Sequence, residues 1–225
     1  MALRAHPGSA LLVALGLTLA LGLGLSGCAG SPSPSGRFSD EALGFNQRAA
    51  RAYDHGDLAQ ARSLYHRALE IDASIDDAEG VAVNSLSLAR VEQALGEADT
   101  AHRHLDRVLD GAAAAPWRAE AAARKAQLHL ASGELARADE WLGRAEGLCD
   151  QCRAQAAILN LGARIALARG QPALAVQRAE RALQLPASDD ARPERANALR
   201  ILGEAKMAQQ RLASPGLGNP PAEVR

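Results

Sequence analysis

The sequence predicts an all-α chain in which antiparallel helix hairpins stack side by side. Composition is the first reason. Hydrophobic residues reach 48% of the chain while aromatics stay at 3%, so the core is built from alanine and leucine. Those residues favour helices, and few of the residues that favour strands are present. An internal period is the second reason. Glycines at 56, 96, 133 and 170 are spaced 40, 37 and 37 residues apart. Columns of residues recur around them: Ala61, Ala101, Ala138 and Ala175 lie five after, and Ala49, Ala89, Ala126 and Ala163 lie seven before. Tyr65, Leu105, Leu142 and Ala179 lie nine after, and Ala68, Val108, Ala145 and Ala182 twelve after.

Each column has a physical reason. Glycine ends one helix because a left-handed residue costs least there. The acid or amide that follows in the turns suits the start of the next helix. Small residues seven before and five after the glycine let two antiparallel helices approach closely. Residues nine and twelve after it share a face of the second helix and pack on the next hairpin. No hairpin buries its apolar face alone, so stacking supplies the core.

The N-terminal segment is different. Residues 1–9, "MALRAHPGS", carry Arg4 and no acid, and residues 10–25 form an uncharged apolar run. That is the layout of a secretory signal, and it is short for a bilayer span of about 20 residues. The run ends in Leu25-Ser26-Gly27-Cys28. This ending resembles the lipobox of bacterial lipoproteins. The resemblance implies removal of residues 1–27, lipid attachment at Cys28, and acylation of the new amine. Several acyl chains anchor durably, at about 0.8 kcal/mol per buried CH₂. In that family an Asp after the cysteine favours the inner membrane. Ala29 stands here, which implies the outer membrane, facing the periplasm. Residues 28–39 are rich in Pro, Ser and Gly and read as a tether.

Residues 40–212 read as the repeat domain, and 213–225 as a disordered tail. Four segments, 48–72, 88–109, 123–148 and 161–186, resemble the tetratricopeptide repeat, for example "RAARAYDHGDLAQARSLYHRALEID". Residues 195–212 look like the terminal helix that caps such stacks. The resemblance implies a right-handed α-solenoid. The family period is 34, so the wider spacings here imply longer helices or loops.

Sites of chemistry are sparse. Charge is nearly balanced, with 25 Lys plus Arg against 26 Asp plus Glu, which argues against a nucleic-acid partner. No G-x-S-x-G, H-E-x-x-H, P-loop or G-x-G-x-x-G occurs, and neither an enzyme activity nor a cofactor is expected. With Cys28 lipidated, Cys149 and Cys152 remain in an oxidising compartment. A local disulfide is the first reading, with two free thiols or a redox site as alternatives. Haem attachment would need His where Arg153 stands. His102 and His104 lie two apart, so they point about 200° apart on a helix and cannot share one ion. They read as solvated surface, and no metal site is expected.

The tetratricopeptide resemblance implies a groove lined by the first helix of each hairpin, holding a peptide or a partner helix. Projecting the register inward nominates Asn46, Tyr53, Arg90, Gln93, Arg124, Gln127, Asn160 and Arg164, with Arg200 on the terminal helix. Four arginines on one face suit an acidic or carboxylate-ended ligand. The resulting expectation is a lipid-anchored, periplasm-facing adaptor that organises an envelope complex. A lipoprotein of the type IV pilus assembly kind and a tethered regulator whose groove binds a soluble peptide are alternatives. An envelope redox protein using the cysteine pair is an alternative of another class.

Overall fold

A computed structural model describes residues 34–186 and 191–213. The signal segment, Cys28 and residues 214–225 of the tail lie outside the described residues. Among the described residues every regular element is a helix. They run α1 Pro34–Asp54, α2 Leu58–Ser74, α3 Ala78–Ala94, α4 Ala98–Asp110, α5 Ala115–Ala131, α6 Leu135–Leu148, α7 Gln155–Ala168, α8 Pro172–Gln184 and α9 Arg192–Ala213. The first helix begins at Pro34, inside the segment expected to be tether. No described helix is long and apolar enough to cross a membrane.

The helices pair as four hairpins, α1/α2 to α7/α8, and α9 closes the last. Each helix packs on the next, and α1, α3, α5 and α7 also touch the following odd-numbered helix. The even-numbered helices do not pack on one another to the same extent. The odd helices therefore form the tight inner layer of a curved stack, and the even ones fan outside it.

The repeat columns account for this packing. Ala49, Ala126 and Ala163 are fully buried, as are Ala61, Ala101, Ala138 and Ala175 on the facing helices. Any larger side chain there would push the paired helices apart. The four turn glycines all adopt positive φ, between 70° and 80°, which costs an L side chain about 1–2 kcal/mol and glycine almost nothing. Asp57 and Asp77 cap the following helices, accepting from Gln60 N and from Glu79 N and Gly80 N. The widest glycine spacing falls where α2, at 17 residues, exceeds the 13-residue α4 and α8. Terminal helix α9 buries Ala198, Ile201 and Ala205 against the last hairpin, and its outer face is not the polar cap expected, because Leu199, Met207 and Leu212 are exposed among its charged residues.

A buried polar chain ties the first three helices together. Asn46 donates to Asn84 Oδ1 at 2.7 Å, and Asn84 donates to Asp72 Oδ2 at 2.7 Å. Burial, reinforced by the nearby Asp77 carboxylate, raises the Asp72 carboxyl above its ordinary range, and the Asn84 bond only partly offsets this. A carboxyl raised by folding contributes stability that is full below about pH 4 and is lost as pH rises through its folded value. Asp72→Asn keeps an acceptor for Asn84 and removes the buried charge. The variant is expected to be more resistant to urea than wild type at pH 7, with the gain fading as pH falls towards about 4. A difference independent of pH would count against this account.

Candidate functional site

The inner layer encloses an open groove of about 1290 Å³, walled by α3, α5, the α6–α7 link, α7 and the start of α9. Arg90, Arg124, Gln127 and Arg164 line it, as the register predicts. Counting back from each turn glycine, Arg90, Gln127 and Arg164 all stand six residues before, and Arg124 stands nine before. Those two helix positions face the concave side.

The other nominated residues do not line it. Asn46 and Asn160 stand ten before their glycines and turn into the seams between helices. Asn46 is spent on Asn84. Asn160 is 1% exposed and donates to the backbone oxygen and Oε2 of Glu194 at 2.9 and 2.7 Å, pinning α7 to α9. Tyr53 and Gln93, three before their glycines, lie near the helix ends, past the groove. Tyr53 serves from below, its ring 4.0 Å from the Arg90 guanidinium. Arg200 is exposed on α9 and held by Asn197 and Glu204.

Two groove cations escape the helical register. Arg153 lies in the α6–α7 link, where no helical period applies, and Arg195 stands at the start of α9. Their only sequence signal is adjacency, Arg153 following the cysteine pair and Arg195 following Pro193 and Glu194. Five arginines thus line the groove, against Glu120 and Glu194. Arg124 is neutralised by Glu120, its Nη2 donating at 2.8 Å, and Glu194 is occupied by Asn160. Arg195 reaches the Leu183 carbonyl. Arg153 and Arg164 are exposed and have no hydrogen-bond or ion-pair partner among the described residues. Arg90 Nε is buried with no hydrogen-bond partner. The groove therefore offers free cationic donors, with the half-buried Trp117 as an apolar anchor on its wall.

A disulfide joins Cys149 to Cys152 across the α6–α7 link. Both cysteines pack on the core of the third hairpin, and Cys152 reaches the groove wall. The bond encloses Gln151, which holds φ 53°, so it fastens a turn that the backbone alone disfavours.

The two histidines of α4 are not solvated surface. They point apart, as helical geometry requires, and each packs against the ring of another histidine. His104 is buried beside His66, and burial, then the His66 charge, pushes its imidazole down to about 4, which keeps it neutral. His102 is half-buried against the His129 ring, 4.9 Å between centroids.

No protein-family model matches this chain, and no curated protein matches it. Solved structures do. The chain is similar to a putative kinesin light chain fragment of nearly identical TPR-like repeats from Podosopora anserina. The TM-score is 0.56 at 21% identity, over 79% of this chain and 91% of that one. A single-substitution form of the same fragment gives a TM-score of 0.59 at 21% identity, over 80% and 91%. At that identity the likeness concerns fold alone: this chain is a stack of TPR-like repeats.

Proposed function

We propose that this chain is a non-enzymatic adaptor that holds an acidic segment of a partner protein in its concave groove, presented from the periplasmic face of the outer membrane by lipid on Cys28. The observation that carries the partner chemistry is the groove lining, five arginines against two glutamates that are both already engaged. Guanidinium groups bind carboxylates with two parallel bonds, and Arg90, Arg153 and Arg164 have that capacity unspent. The lipid anchor rests on the sequence alone, on the apolar run and Leu25-Ser26-Gly27-Cys28.

Crosslinking in cells tests the groove. An Arg90/Arg124/Arg164→Glu variant is expected to recover its partner at about one-tenth of the wild-type yield or less, since setting like charges against an acidic ligand costs several kcal/mol. An unchanged partner set would remove the acidic-ligand reading. Labelling with a radioactive fatty acid tests the anchor separately. Cys28→Ala is expected to abolish incorporation and release the chain from the membrane fraction, and equal labelling would sink the lipoprotein reading.

A further inference from the structure

Outside the groove, three potential metal ligands from three helices converge on one point. His66 of α2, Glu92 of α3 and His104 of α4 each offer a ligand atom, and these atoms lie within 4.8 Å of one another. We propose that they form a binding site for a divalent ion of the zinc class, clipping the first hairpin to the second.

The local chemistry lacks a partner of that kind. Glu92 is only 1% exposed, and its sole ionic contact among the described residues is a long one of 3.4 Å from Arg62. Arg62 also serves Glu97 at 3.2 Å and remains partly in solvent. A carboxylate buried so deeply calls for stronger compensation. The imidazoles of His66 and His104 sit 5.5 Å apart between ring centroids, and neither hydrogen-bonds another described residue. Two imidazoles and one carboxylate are a donor set that zinc accepts, leaving a fourth position for water or an incoming side chain. Zinc bonds of about 2.0–2.2 Å require the ligand atoms to close to roughly 3.3 Å. Arg62, bonded to Oε2, orients the carboxylate and leaves Oε1 for the ion. Arg103 and Arg107 flank His104 and oppose a cation, so the affinity depends on all three ligands being present.

The sequence hides this arrangement, because its members are separated by 26 and 12 residues and belong to two repeats. His104 falls eight after its glycine and His66 ten after, so they do not occupy equivalent positions of the repeat.

The test is zinc binding to the purified full chain carrying Cys28→Ser, without reductant so that Cys149 and Cys152 stay bonded. Zn²⁺ is titrated against a chromophoric competitor, and folding is checked by circular dichroism. One equivalent is expected to bind, with affinity reduced tenfold or more in His66→Gln and in Glu92→Gln. His129→Gln is expected to bind as wild type, because the neighbouring His102 and His129 belong to no such three-ligand cluster among the described residues. Zn²⁺ should also raise the thermal midpoint of the parent chain, and raise that of His66→Gln clearly less at the same concentration, since binding favours the folded stack. His66 lies on the solvent side of the cluster, so its variant reports on binding even where Glu92→Gln folds poorly. Absence of saturable binding, equal affinity in a folded His66→Gln, or loss of binding in His129→Gln would each overturn the proposal.

Discussion

Tyr65→Ala is expected to lower stability by about 3–5 kcal/mol, the cost of emptying a large aromatic site in a packed core. Tyr65 is 2% exposed and sits among Ala49, Ala52, Ala61, Leu69, Leu88 and Val91. Its neighbours come from α1, α2 and α3, so the ring fills the seam between the first and second hairpins. Most of these neighbours are small or held by helix backbone, and they cannot collapse into the vacated space. Domains of this size are stable by about 5–15 kcal/mol, so the loss is a large fraction of the whole. Stability in such stacks passes through nearest-neighbour interfaces, and the first hairpin should therefore detach before the rest unfolds. Urea unfolding followed by circular dichroism is expected to show a lower midpoint and an added early transition. Tyr65→Phe should stay within about 1 kcal/mol, because the hydroxyl has no hydrogen-bond partner among the described residues. A Tyr65→Ala protein as stable as wild type would show that the seam is held elsewhere.

Gly80→Ala is expected to destabilise by about 2 kcal/mol, although alanine is the better helix former. A Cβ at Gly80 would overlap the Asp72 carboxylate. That group is buried and bonded to Asn84, so moving it breaks the chain that runs through Asn84 to Asn46. Gly162→Ala is the informative contrast. Its Cβ would meet the end of the Arg178 side chain, which is long and can swing away at the expense of its ion pair with Glu146. That variant should remain within about 1 kcal/mol of wild type. Equal midpoints for the two variants would show that the Asp72 carboxylate moves as freely as a guanidinium, contrary to its burial.

The groove shows how far a helical register carries. Residues six before each turn glycine face inward at Arg90, Gln127 and Arg164 because α3, α5 and α7 repeat the same geometry. Asn160 carries the same appeal as a polar residue on an inner helix, yet it is consumed by Glu194. Its role depends on where α9 lies, and nothing within α7 encodes that. Arg153 was illegible for the opposite reason. It belongs to a link shaped by the disulfide and by the left-handed Gln151, so no period points to it.

Taken alone, the sequence determined the elements and their order: four hairpins, a closing helix, the turn glycines, and the alanine columns that set how closely paired helices approach. These properties are local, or repeat at a fixed distance along the chain, and so they are written in spacing. The tertiary structure alone decided which polar side chains were spent on one another. Asn46 with Asn84, Asn160 with Glu194, and the meeting of His66, Glu92 and His104 each join residues from different helices. Such meetings depend on the rotation and offset between helices, to which a one-residue error is decisive, and a column of aligned letters does not record them.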